Sequence, residues 1–192
     1  LIKEHLNLVK QMIESEKKIA QQTLNILMKK KWNTFSLEQV LKNVKLKKTY
    51  IKTKFDLLKI ISKYVDYILI DKTKSLENSS SKDMLFEVLM ARFDILETNR
   101  KAFLEIYKIL KKNPQQFIKL LPIFLESMII TAELSKYKVN GLKGTLRLKG
   151  LMLIYFITFF QWVDDKDSAL EKTMTALDKN LDQAEKLSKL FL

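Results

Sequence analysis

Between Gln39 and Phe55 stand six lysines, Lys42, Lys45, Lys47, Lys48, Lys52 and Lys54, and not one acidic residue. Ammonium groups at this density create a positive local field, and the chemistry such a field serves is attraction of phosphate. Residues 1–75 carry 17 lysines against seven acids, a net +10, whereas residues 76–192 carry 18 basic and 15 acidic residues, a net +3 of the total +13. Only Arg92, Arg100 and Arg147 are arginines among the 35 basic residues. A coding bias toward lysine explains that choice of cation, but it leaves the missing acids unexplained.

Catalytic chemistry has little material. His5 is the single histidine and cysteine is absent, which excludes a thiolate nucleophile, a disulfide framework and a zinc site built on sulfur. Asp164, Asp165 and Asp167 could hold a cation, but helix capping beside Ser168 explains them better. The three glycines, Gly141, Gly144 and Gly150, form no phosphate-cradling loop. The expectation is a non-enzyme with no cofactor and no metal site. The polar N-terminal stretch has no signal-peptide core, and a cysteine-free chain suits a reducing compartment, so the expected location is cytoplasmic.

The elements that must position these groups are helices. Three glycines and two prolines in 192 residues are too few for sheets joined by tight turns. Apolar residues recur at helical spacing over Glu14–Lys31. Ser36 with Gln39 opens a second helix as a capping box, the run Lys45–Lys48 reads as a turn, and a short third helix is expected over 48–55. A longer helix follows over 56–74, then a loop at Glu77–Ser81. Helices are expected next at 82–98, 100–111 and 114–136, the last of them kinked or split by Pro122. A largely apolar helix over 144–163 contains Leu151–Val163, which falls short of the roughly 20 residues of a span. A final helix starts from a Ser168–Glu171 capping box and carries one narrow stripe, with Met174, Leu177 and Leu181. The expected architecture is all-α: a basic three-helix head over 1–56 and a larger helical body over 57–192, about nine helices in all.

In the body, Leu85, Leu89, Phe93, Phe103, Tyr107, Phe117, Leu121, Phe124 and Met128 come from three successive helices. They could line a pocket for an apolar ligand or form a plain core, and periodicity alone does not separate the two. Tyr155, Phe156, Phe159 and Trp162, with Met174, Leu177 and Leu181, exceed what one helix pair needs to bury. A homodimeric four-helix bundle would use them.

From Glu16 to Phe55 the chain resembles the DNA-binding head of the TetR family of bacterial regulators. The matching residues are Ile19, Leu24, Ile26 and Leu27, then Thr34 and Ser36, then Val40, Leu41 and Val44, then Leu46, Ile51 and Phe55. It departs from that pattern at Lys45 and Thr49, where the family usually has Gly, and at Lys52, where it usually has Tyr. Leu146–Leu187, with Trp162-Val163-Asp164-Asp165, is similar to an alphaproteobacterial TetR-like group and to TetR-fold lipid-binding proteins of ubiquinone biosynthesis. The resemblance implies a helix-turn-helix in which Ser36, Lys45, Lys47, Lys48, Thr49, Tyr50, Lys52, Thr53 and Lys54 meet double-stranded DNA. It also implies a homodimer with a hydrophobic small-molecule or lipid ligand in the body. The alternative is a lipid-binding accessory protein whose basic face makes peripheral membrane contact.

Overall fold

The computed structural model describes residues 14–44, 51–76 and 79–191, and most of the helices read from the sequence are present there. Among the described residues there are eight α-helices and no strand: α1 Glu14–Leu27, α2 Leu37–Asn43, α3 Lys54–Lys72, α4 Ser81–Thr98, α5 Arg100–Lys112, α6 Pro114–Leu134, α7 Gly141–Asp164 and α8 Glu171–Phe191. Single 3₁₀ turns at Trp32–Thr34 and Thr73–Ser75 complete the list.

Local side chains explain most boundaries. Ser36 Oγ accepts from the Gln39 N–H at 3.3 Å while Gln39 Oε1 accepts from the Ser36 N–H at 3.1 Å, the reciprocal box that starts α2. Ser80 caps α4 by accepting from the Asp83 N–H at 3.2 Å. Pro114 occupies the first turn of α6, where it forfeits no helical bond. Pro122 does not split that helix, which runs on to Leu134; neighbouring bonds and packing hold the chain through the one lost N–H.

Two boundaries differ from the sequence reading. The helix expected over 48–55 is absent at 51–53, and residues 45–50 lie outside the described residues. Thr53 is extended, at φ −134° and ψ 158°, because it is the N-cap of α3. Asp56 Oδ2 accepts from the Thr53 N–H at 3.0 Å, and Thr53 Oγ1 accepts from the Asp56 N–H at 3.3 Å. This second capping box, Thr-x-x-Asp, ends one element and begins the next. The last helix, α8, is capped not by Ser168 but by Asp165. The Asp165 carboxylate accepts from the Thr173 N–H at 2.9 Å and from its hydroxyl at 2.8 Å.

Helix α3 is the spine. It packs against α1, α4 and α6, while α7 and α8 form the most extensive pair and α1 also touches α5. One apolar core runs from Ile19 and Leu24 through Leu57, Leu69 and Phe93 to Trp162 and Leu177, continuous across residue 56. Trp162 is fully buried; its Nε1–H donates to Glu97 at 2.9 Å, and Arg100 lies over its ring at 4.7 Å. Arg100 also donates to the Trp162 and Val163 carbonyls, at 2.9 and 3.1 Å, so it closes the C-terminus of α7.

Candidate functional site

A cavity of about 430 Å³ opens among α3, α4, α5, α6 and α7. That lies in the range of roughly 300–1,000 Å³ common for small-molecule sites. Its wall is mostly aromatic. Phe156 packs against Phe117 at 5.6 Å and Phe124 at 5.5 Å between ring centroids, and Tyr107 meets Phe159 at 5.8 Å. The edge-to-face arrangement of these rings suits their quadrupoles. Helix α3 supplies Leu58, Ile61, Ser62 and Val65 to the same wall.

One part of the wall is polar. Arg92, 3% exposed, donates from Nη2 to Asp66 Oδ1 at 2.7 Å and to Thr131 Oγ1 at 3.1 Å, and from Nη1 to Ser127 Oγ at 2.9 Å. Ser127 in turn donates to Asp66. The pair is thus charge-compensated inside the core, the condition under which buried ions are tolerated. Arg92 Nε is buried and has no hydrogen-bond partner. Arg92, Ser127 and Tyr155 all border the cavity, and the guanidinium carbon lies 5.9 Å from the Tyr155 ring centroid. Burial pushes the Tyr155 phenol up from its ordinary value, so it stays a protonated donor at neutral pH.

Of the residues singled out as pocket candidates, Phe103, Tyr107, Phe117, Phe124 and Met128 border the cavity. Leu85, Leu89 and Phe93 belong instead to the buried core, and half-buried Leu121 is not on the cavity wall. The contributions of α3 and the Arg92 cluster were missed. A readable signal existed for Arg92: it is one of three arginines and interrupts the apolar run Val88-Leu89-Met90-Ala91 before Phe93.

The candidate dimer residues also divide. Tyr155, Trp162, Leu177 and Leu181 are buried within the protomer. Phe156 and Phe159 border the cavity, and only Met174 is exposed. The outward face of α7 is carried by Leu142, Leu146, Leu153 and Ile157, while Phe160, half exposed, also borders the cavity. By length and composition α7 alone among the described helices could cross a membrane, and a third of its most apolar window is buried.

Of the candidate DNA-binding residues, Lys45, Lys47, Lys48, Thr49 and Tyr50 lie outside the described residues. Ser36 and Thr53 are engaged as helix caps. Lys54 turns back into the protein: its ammonium donates to the Trp32 carbonyl and, at 2.7 Å, to that of Phe35. It sits 4.0 Å from the Phe35 ring centroid, a cation–π contact. Desolvation lowers its pKa, and its hydrogen bonds tie α3 to the 3₁₀ turn rather than present a charge to a phosphate. Lys29, Lys30, Lys31, Lys42 and Lys52 are exposed.

No protein-family model matches this chain, and no curated protein is similar enough to it to count as a match.

Proposed function

We propose that the chain is a TetR-type transcriptional regulator, a homodimer that binds DNA through its basic head and is modulated by a hydrophobic small molecule. The observation that carries this reading is that the cavity wall and the head share one helix. Leu58, Ile61 and Val65 of α3 face the cavity, while Lys54 in its first turn is tied to the Trp32 and Phe35 carbonyls. At 19 residues, α3 is about 28 Å long. A ligand that pushes on its middle tilts its first turn, and the head moves with it. Regulation needs the ligand to favour one head position over the other, a coupling of roughly 1–3 kcal/mol in most such systems. The outward row on α7 supports a second copy packing there, and the exposed lysines support contact with a phosphate backbone.

Filter binding to a random-sequence duplex tests the head. Lys47→Glu with Lys48→Glu is expected to remove nearly all binding, with the circular dichroism unchanged. Removing two phosphate contacts lowers the salt slope by about two. Unaltered binding by that double variant contradicts the head assignment.

One observation favours a second reading, a lipid-binding accessory protein on an anionic membrane: Lys143, Arg147 and Lys149 flank the exposed Leu142 and Leu146 at the start of α7. Flotation with vesicles containing phosphatidylserine separates the two. Absence of the protein from the floating fraction at physiological salt removes the membrane reading.

A further inference from the structure

The cavity has an apolar interior and a charged rim. No carboxylate lines it, and its wall carries two cations, Arg92 and Lys111. Arg92 is 3% exposed and is neutralised by Asp66 at 2.7 Å, and Ser127 is spent on the same cluster. A charged group carried into the interior would meet no partner to compensate it, and burying it unpaired is expensive. The interior therefore takes the apolar part of a ligand.

The rim is formed by Lys111, Pro114 and Phe160, the three exposed residues of the wall. The Lys111 ammonium lies 5.9 Å from the Tyr107 ring centroid, and that ring meets Phe160 at 6.2 Å, so the charge stands beside the aromatic edge of the opening. One turn earlier, Lys108 lies 3.8 Å from Glu105; among the described residues Lys111 pairs with no carboxylate. The C-terminus of α5 and the N-terminus of α6 meet at this rim. Their dipoles have opposite signs and offset each other, so the ammonium sets the sign of the local field. The net charge of +13 on the whole chain adds to it.

A long apolar compound is carried in water only with a polar end, and with its body in the cavity that end is left at the rim. We infer that the cavity takes an anionic amphiphile of the fatty-carboxylate kind, its chain among the rings and its anion beside Lys111 in contact with water. This rests on the reading of the cavity as a ligand site. It adds the charge of the ligand, the direction in which it enters and the residue that selects it.

Calorimetric titration of the full chain with decanoate, decylammonium and decan-1-ol, three probes with one chain length, tests both levels. Decanoate is expected to bind at least about threefold tighter than decylammonium, the ratio that one solvent-exposed charge supplies. Lys111→Glu is expected to cancel or reverse that order. Lys101→Glu makes the same change of charge at another exposed position of α5, ten residues and about 15 Å away. Screening over that distance should leave the order as it was, and decan-1-ol should bind all three proteins alike. If decylammonium binds the unaltered chain as tightly as decanoate, or if the two Glu variants shift the order equally, the inference is overturned while the cavity remains a ligand site. Binding of none of the three probes removes the ligand site itself. Should Lys111→Glu lose decan-1-ol as well, Lys111→Gln decides: the inference requires the affinities of the two ions to converge there, and an unchanged ratio overturns it.

Discussion

At the scale of single residues, side chains that looked free for function are bound to the fold. Lys54 belongs by sequence to the run of lysines that could meet phosphate, yet its ammonium is held by two backbone carbonyls. Asp165 looked like one member of an acidic cluster, yet it is fully buried and caps α8 through Thr173. Burial alone would push its carboxyl up; the hydrogen bonds from Thr173 and the Asp167 N–H, with the Lys172 charge, together outweigh that, and the net result lies below the ordinary 3.8. The sign for stability follows: the bonded form needs the carboxylate, so its contribution is full above the unfolded-state value and is lost as pH falls through the lower folded value. Asp165→Asn is expected to cost about 1–2 kcal/mol at pH 7, and urea melts should show this cost shrinking as pH falls below 4. A penalty that stays constant down to pH 2 would mean that the charge on Asp165 does not matter.

Elements were legible where local chemistry sets them and illegible where tertiary packing does. The Ser36–Gln39 box, Pro114 and the apolar periodicity put most helices within a few residues of their places. The Thr53–Asp56 box was missed because it lies inside a stretch whose lysines and apolar residues also suit a helix. For α7 the limit is physical. Leu148, Leu151, Tyr155 and Trp162 point inward while Leu142, Leu146, Leu153 and Ile157 point outward, so a helix apolar on two faces does not reveal which one is buried. The start of α7 depends on Gly144, where a Cβ would lie 2.0 Å from the Val139 carbonyl carbon. Gly144→Ala must push that backbone away, and a loss of about 1–3 kcal/mol in chemical denaturation is expected. The outward row gives a second prediction. Leu153→Glu with Ile157→Glu should leave the helical content unchanged and halve the mass seen by light scattering after gel filtration. A dimeric mass in that double variant would place any interface elsewhere.

At the scale of the whole molecule, the fold class was readable from composition, since glycine and proline are too scarce for much else. The cavity was half readable. Five of its wall residues come from the aromatic helices singled out by type, whereas its α3 wall and its buried ion pair depend on how distant helices meet. One helix, α3, lines the cavity near its middle and is tied at its first turn to the Trp32 and Phe35 carbonyls. The proposed role as a regulator requires recognition of particular DNA, because a generic attraction to phosphate gives a ligand no sites to govern. The most direct measurement is selection from randomised duplex DNA at about 150 mM salt, where nonspecific phosphate attraction is already weak. The account predicts enrichment of a palindrome with half-sites about one helical turn apart or a multiple of it. Weak binding that falls steeply with salt and enriches no sequence would contradict it.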